Sequence, residues 1–243
     1  MAQQTWPVAK RPDVQGTFEK VMALGVRIPG TLGYIARRKL KRRQCMRMQD
    51  TFSHVLTQTK AGNLCVDLGA NVGDITRRMA LTGADVISFE PDPGAFAALQ
   101  TASHDLPNIT LVHKAAGHQP DSLLLHRSAK WSPDNPSGNT QGSSLVHRDE
   151  NADDVNSIRV EVVDIIAYLE ALDRDIRILK MDIEGAEWDI LTRLMEHPIL
   201  SRIDCIFVET HERKDPKRYV PIFENLQDWA EKIDRPYINL YWV

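Results

Sequence analysis

The chain has 243 residues, 42% apolar and 26% charged, with a formal net charge of −3. Those proportions describe an ordinary soluble globular protein, and no apolar run approaches the roughly 18 residues that a bilayer requires. The N-terminus lacks the apolar core of a signal peptide, the three cysteines follow no pattern, and no C-x-x-C or H-E-x-x-H motif argues for zinc. A cytoplasmic protein with reduced thiols is expected.

Residues 1–60 read as a basic, partly helical extension and residues 61–243 as one domain. Residues 1–33, rich in Pro, Gly and polar side chains, predict a partly irregular arm, and 34–60 predict a helix. The first 50 residues hold 11 Lys/Arg against 3 Asp/Glu, a balance of +8; the remainder hold 19 against 30, a balance of −11. The positive charge concentrates between Arg37 and Arg47. It reads either as a helix face docked on the acidic body or as a peripheral contact with an anionic membrane or glycan. Nucleic acid is not expected, because no aromatics interleave with the cluster and the rest of the chain is acidic.

From Leu64 onward, strand and helix patterns alternate, the mark of an α/β domain with a mostly parallel sheet and helices on both faces. Strands are predicted at Leu64–Leu68, Val86–Phe89, Ile109–Lys114, Ile176–Met181, Asp204–Val208 and Tyr237–Val243. Asp92-Pro93 predicts the start of a helix through Phe96 and Leu99, and Asp164 that of Ile165–Leu172. Phe223, Leu226, Trp229, Ala230 and Ile233 share one face of a later helix. Between the third and fourth strands an insertion breaks the alternation. Leu123–Arg127 and Ile158–Val163 read as a paired ribbon, and Trp131–Ser157 between them reads as a long loop.

Two segments carry the chemistry. The first, Asp67-Leu-Gly-Ala-Asn-Val-Gly73, joins a buried strand to a helix through a glycine turn, a shape that suits a nucleotide-type pocket. Glu90 follows 17 residues after Gly73, where a carboxylate can accept both hydroxyls of a ribose. The spacing Gly69-x-Asn71-x-Gly73 is not the dinucleotide pattern, and the acidic Asp67 suits the cationic S-adenosylmethionine better than a pyrophosphate.

The second segment, Lys180-Met-Asp182-Ile-Glu184-Gly-Ala-Glu187, places four ionisable groups in eight residues at a strand end, where open parallel sheets bind ligands. Lys180, Asp182 and Glu184 share one side of the strand if it extends that far. The purely structural alternative pairs Lys180 with Asp182 or Glu187 and uses Glu184 as a helix cap.

Together Val66–Gly73, Phe89-Glu-Pro-Asp92, Ala115-Ala-Gly117, Gly142-Ser-Ser-Leu145, Lys180–Glu187 and Val208-Glu-Thr-His211 resemble the FkbM family of S-adenosylmethionine-dependent methyltransferases, over about residues 60 to 212. The resemblance implies a class I, Rossmann-like methyltransferase fold. It also implies O-methylation of a hydroxyl on a glycan, glycolipid, lipo-oligosaccharide or secondary metabolite. The basic extension lies outside the resemblance, and the chain leaves no clear room for an antiparallel seventh strand.

On that reading Asp67, Gly69 and Gly73 line the methionine end of the cofactor, Asn71 supports the turn, Glu90 holds the ribose, and Ala115 and Ala116 flank the adenine. His211 is preferred as the base over Asp182 or Glu184, because an imidazole titrates near neutrality. Lys180 would orient the carboxylates or the acceptor, and Trp131 would stack on a sugar or, the favoured reading, serve in packing. Asp182, Glu184, Glu209 and His211 also suit a divalent metal, which is not favoured. The rivals are a nucleotide-dependent oxidoreductase on the same fold and a non-catalytic protein that binds through its basic arm.

Overall fold

The computed structural model describes residues 11–127, 132 and 157–242. Two helices, α1 (Gly16–Gly25) and α2 (Thr31–Thr57), precede β1 (Leu64–Leu68), α3 (Asp74–Ala80), β2 (Asp85–Phe89), α4 (Pro93–Ser103) and β3 (Ile109–Val112). Three strands follow: β4 (Ala115–Gly117), β5 (Asp121–His126) and β6 (Ser157–Asp164). Then come α5 (Ile165–Ala171), β7 (Ile176–Met181), α6 (Glu187–Leu194), a short 3-10 turn, β8 (Ile203–Val208), α7 (Pro216–Lys232) and β9 (Tyr237–Asn239).

The main sheet has the order β3-β2-β1-β7-β8-β9, and every pairing in it is parallel. The direction of winding reverses between β1 and β7, and open parallel sheets bind ligands beyond the ends of two such strands. β9 closes the far edge in the parallel sense, and among the described residues no antiparallel strand lies beyond it.

Residues alternate between the two faces of the sheet. Leu64, Val66 and Leu68 of β1 join the core under α5, α6 and α7, while Cys65 joins Val86, Ile178 and Phe207 in the core under α2 and α3. Both helix starts foreseen from aspartates form as expected. Asp92 accepts hydrogen bonds from the Gly94 and Ala95 amides, and Asp164 from those of Ile166 and Ala167. Cys45, Cys65 and Cys205 are buried free thiols.

One expectation, the extent of the third strand, is corrected. Within the partly irregular arm residues 16–25 are helical, and Glu19 turns inward to pair with Arg47 of α2 at 2.5 Å. The extension is also part of the core: Cys45 and Met48 pack on one face of the sheet, and Phe52 and Val55 on the other. The third strand stops at Val112, and Ala115–Gly117 turns away to pair with β6 in a separate three-stranded sheet, β4-β6-β5. Trp131, Gly142–Leu145 and nearly all of the long loop lie outside the described residues.

Candidate active site

The turn after β1 is shaped by backbone conformation. Asn71 and Gly73 both have positive φ, 49° and 100°, a region that Asn and Gly tolerate best. A Cβ on Gly69 would overlap the carbonyl oxygen of Asp182, so this glycine lets the ends of β1 and β7 close on each other. A Cβ at Gly73 would meet Leu99 of α4 at 2.8 Å. Both glycines therefore serve internal packing.

Glu90 lies at the end of β2, nearly sealed from solvent. Its two carboxylate oxygens accept the backbone amides of Asn71 and Asp92, each at 2.8 Å. One carboxylate thereby holds the glycine turn, and each oxygen keeps a further lone pair. Burial pushes its pKa up to about 7, against the two amide bonds. Next to it, Arg127 at the end of β5 donates to Asp92 at 2.6 Å, which ties the inserted sheet to the same turn.

Asp67 and Lys180 face each other across β1 and β7. Lys180 Nζ lies 2.9 Å from Asp67 Oδ1 and donates to the Gly69 carbonyl at 2.7 Å, while Asp67 Oδ2 accepts from Thr76 at 2.7 Å. Burial works against the charge on Lys180, but Asp67 and Asp182 outweigh it and hold its pKa above the ordinary value. Lys180 is thus committed to the strand end, not to Asp182 or Glu187. A pyrophosphate would find this cation already neutralised.

β7 ends at Met181, so neither Asp182 nor Glu184 continues the strand face of Lys180. Glu184 adopts φ 55°, a strained conformation for a glutamate, and it does not cap α6. The turn instead brings Asp182 and Glu184 against the segment after β8, and His211 becomes the centre of a carboxylate cage. Its Nδ1 lies 3.1 Å from Glu187 Oε1, which also accepts the His211 backbone amide at 2.9 Å. Its Nε2 lies 3.3 Å from Glu184 Oε2 and 3.7 Å from both Asp182 Oδ1 and Glu209 Oε1, and makes no hydrogen bond among the described residues.

Burial resists a charge on His211. The hydrogen bond to Glu187 and the fields of Glu187, Glu184 and Asp182 reverse that effect and raise its pKa. Asp182 is also raised, by burial, against Lys180 and His211. Glu209 is raised by burial and by Asp182. Burial would raise Glu184 too, yet His211 and Lys214, whose Nζ lies 2.8 Å away, bring it below its ordinary range. Exposure separates the members: the His211 side chain is 1% exposed, whereas Asp182 is 31% and Glu209 28% exposed.

Asp182, Glu184 and His211 each direct one ligand atom within 4.8 Å of the others, a spacing that can hold a metal ion. A histidine whose second nitrogen rests on a carboxylate is also the usual support for a metal ligand.

Sequence reasoning gave Glu187 no part beside His211. The spacing Glu187-x-x-x-Leu191 marks it as the apolar-side residue of a helix start, where a buried carboxylate needs a partner. Lys41, part of the basic face read as docking on the acidic body, reaches from α2 to Glu212 at 2.5 Å and to Thr210, and so anchors the segment that carries His211. Arg37 pairs with Glu224 at 2.7 Å. Ala115 and Ala116 are buried in β4, on the side of the inserted sheet.

Beside Gly185 and Ala186 opens a cavity of about 230 Å³. His118, Asp121, Asp189 and Arg218 supply polar walls, and Leu123 and Tyr219 an apolar one.

The Methyltransferase FkbM domain matches residues 67–234, more than half of the chain. No curated protein and no solved structure matches it.

Proposed function

The chain belongs to the FkbM methyltransferase family, and from that premise we propose that it transfers a methyl group from S-adenosylmethionine to a hydroxyl oxygen, with a sugar as the favoured acceptor. When bound, the cofactor supplies an electrophilic methyl group on a sulfonium. The residues present fit it: Glu90, when ionised, offers only acceptors to a diol, and the carboxylates at the strand ends suit a cation. Glu90 would hold the ribose, and the Gly69–Gly73 turn would carry the methionine end.

The observation that carries the reading is the cage around His211 at the winding reversal. Asp182 and Glu209 are the members that an acceptor can touch; of the two Asp182 is slightly more exposed, and its raised pKa makes it a stronger base than an ordinary carboxylate. The hydroxyl proton passes to Asp182 as the oxygen gains the methyl group. That proton leaves Asp182 neutral, and His211, sealed behind, keeps the neighbouring Glu184 and Glu187 carboxylates compensated. Its preferred role as direct base thus moves to Asp182, because contact requires exposure.

The cavity beside Gly185 supports a sugar acceptor: one apolar wall can lie against a ring face while His118, Asp121 and Arg218 meet its hydroxyls. Incubation with methyl-labelled S-adenosylmethionine and sugar-containing or small-alcohol acceptors tests this directly. Label appearing in a methyl ether supports the proposal, and label found only in protein or nucleic acid refutes it.

A second reading has one observation in its favour: the buried His211 Nε2, without a hydrogen bond among the described residues, lies within 3.7 Å of three carboxylates. A divalent cation held by Asp182, Glu184 and His211 would acidify the acceptor hydroxyl in place of a base.

A further inference from the structure

The α1–α2 hairpin has a surface unlike the rest of the molecule. Of nine large apolar side chains that stand exposed among the described residues, seven fall between Val14 and Ile35. Leu24, Ile28 and Leu32 gather where the hairpin turns, with Leu24 and Leu32 each 67% exposed. Pro29 and Gly30 at the same turn are exposed as well. Behind this tip, Ile35, Lys39, Arg42 and Met46 follow Leu32 at helical spacing along one outward stripe of α2.

The exposed charge on this hairpin has one sign, except for Asp50 in the latter half of α2. From Val14 to Gln49 the sole acidic residue is Glu19, and it is buried against Arg47. Arg37, Lys41 and Arg47 are taken up by Glu224, Glu212 and Glu19. The cations presented to solvent are others: Lys20, Arg27, Arg38, Lys39, Arg42 and Arg43. Arg43 also covers the exposed ring of Phe18 at 4.4 Å.

We infer that the hairpin docks the protein on an anionic lipid bilayer, its apolar tip entering between the headgroups while the basic shaft lies on the charged surface. An apolar end followed by a wholly cationic flank matches the two layers of such a surface in order. An acidic protein partner would satisfy the arginines and leave Leu24, Ile28 and Leu32 unexplained. No helix among the described residues is long and apolar enough to cross a membrane, so the contact is peripheral. The inference stands apart from the methyl-transfer reading, since it uses no residue of that site.

Co-sedimentation of the full chain with vesicles of phosphatidylcholine alone and of phosphatidylcholine mixed with phosphatidylglycerol tests it. Binding is expected only to the anionic vesicles, and it should weaken in high salt. Two variants, L24S/I28S/L32S and R38E/K39E/R42E, should each lower the partition by about tenfold or more, with circular dichroism unchanged. Equal binding to both vesicles, no binding, or anionic binding that either variant retains would overturn the inference. So would a protein that sediments as a dimer and becomes a monomer in the tip variant, since a second copy would then cover the tip.

Discussion

Lys180 Nζ lies 2.9 Å from Asp67 Oδ1, with both side chains sealed from solvent at the point where β7 runs beside β1. The pair ties the two strand ends together, because the same ammonium also holds the Gly69 carbonyl and the same carboxylate holds Thr76.

Breaking that pair should cost stability before it costs chemistry. Lys180→Met leaves a buried carboxylate without its counter-charge, and the expected loss is about 3–5 kcal/mol. Urea denaturation measures it. The double variant Asp67→Asn/Lys180→Met should recover a good part of the loss, since no buried charge then remains.

Glu90 should make cofactor affinity depend on pH. Its pKa near 7 lies above the ordinary 4.5, so the folded protein keeps a proton that the unfolded chain releases. Its contribution to stability therefore declines as pH rises from about 4.5 to about 7. Ribose hydroxyls prefer the ionised form, so calorimetry with S-adenosylhomocysteine should show tighter binding as pH rises through 7. Glu90→Gln should flatten this dependence and weaken binding by about 10- to 100-fold.

Asp182 and His211 should separate by their pH profiles. Asp182→Asn is expected to lower kcat by about 10²–10⁴-fold with S-adenosylhomocysteine binding preserved. In the native enzyme the rate should rise with pH on a limb above the usual carboxylate range, as the raised Asp182 ionises. His211 lowers the Asp182 pKa, so His211→Asn should move that limb to higher pH and leave a measurable plateau. A rate abolished at every pH would instead make His211 the base.

The metal reading has its own readout. If Asp182, Glu184 and His211 hold a divalent ion, manganese should lose its free-ion paramagnetic signal on titration with the protein. Glu184→Gln should restore that signal. Full methyl transfer after exhaustive chelation, with no manganese bound, would leave the imidazole as the cage's cation.

What the sequence by itself determined was local. The alternation of apolar runs with helix patterns placed the six strands of the main sheet. Asp92 and Asp164 located two helix starts because a cap bonds to amides only two or three residues away. The tertiary structure decided which charge meets which. Strand order set β7 against β1 and gave Lys180 to Asp67, while the turn at Glu184 and the return of β8 carried His211 to Glu187, 24 residues away. The helix of the arm was hidden for the same reason: its Glu19 is stable inside only opposite Arg47, 28 residues further on. A buried charge takes its partner from whatever the fold brings within a few ångströms, and that proximity is a property of the packed sheet.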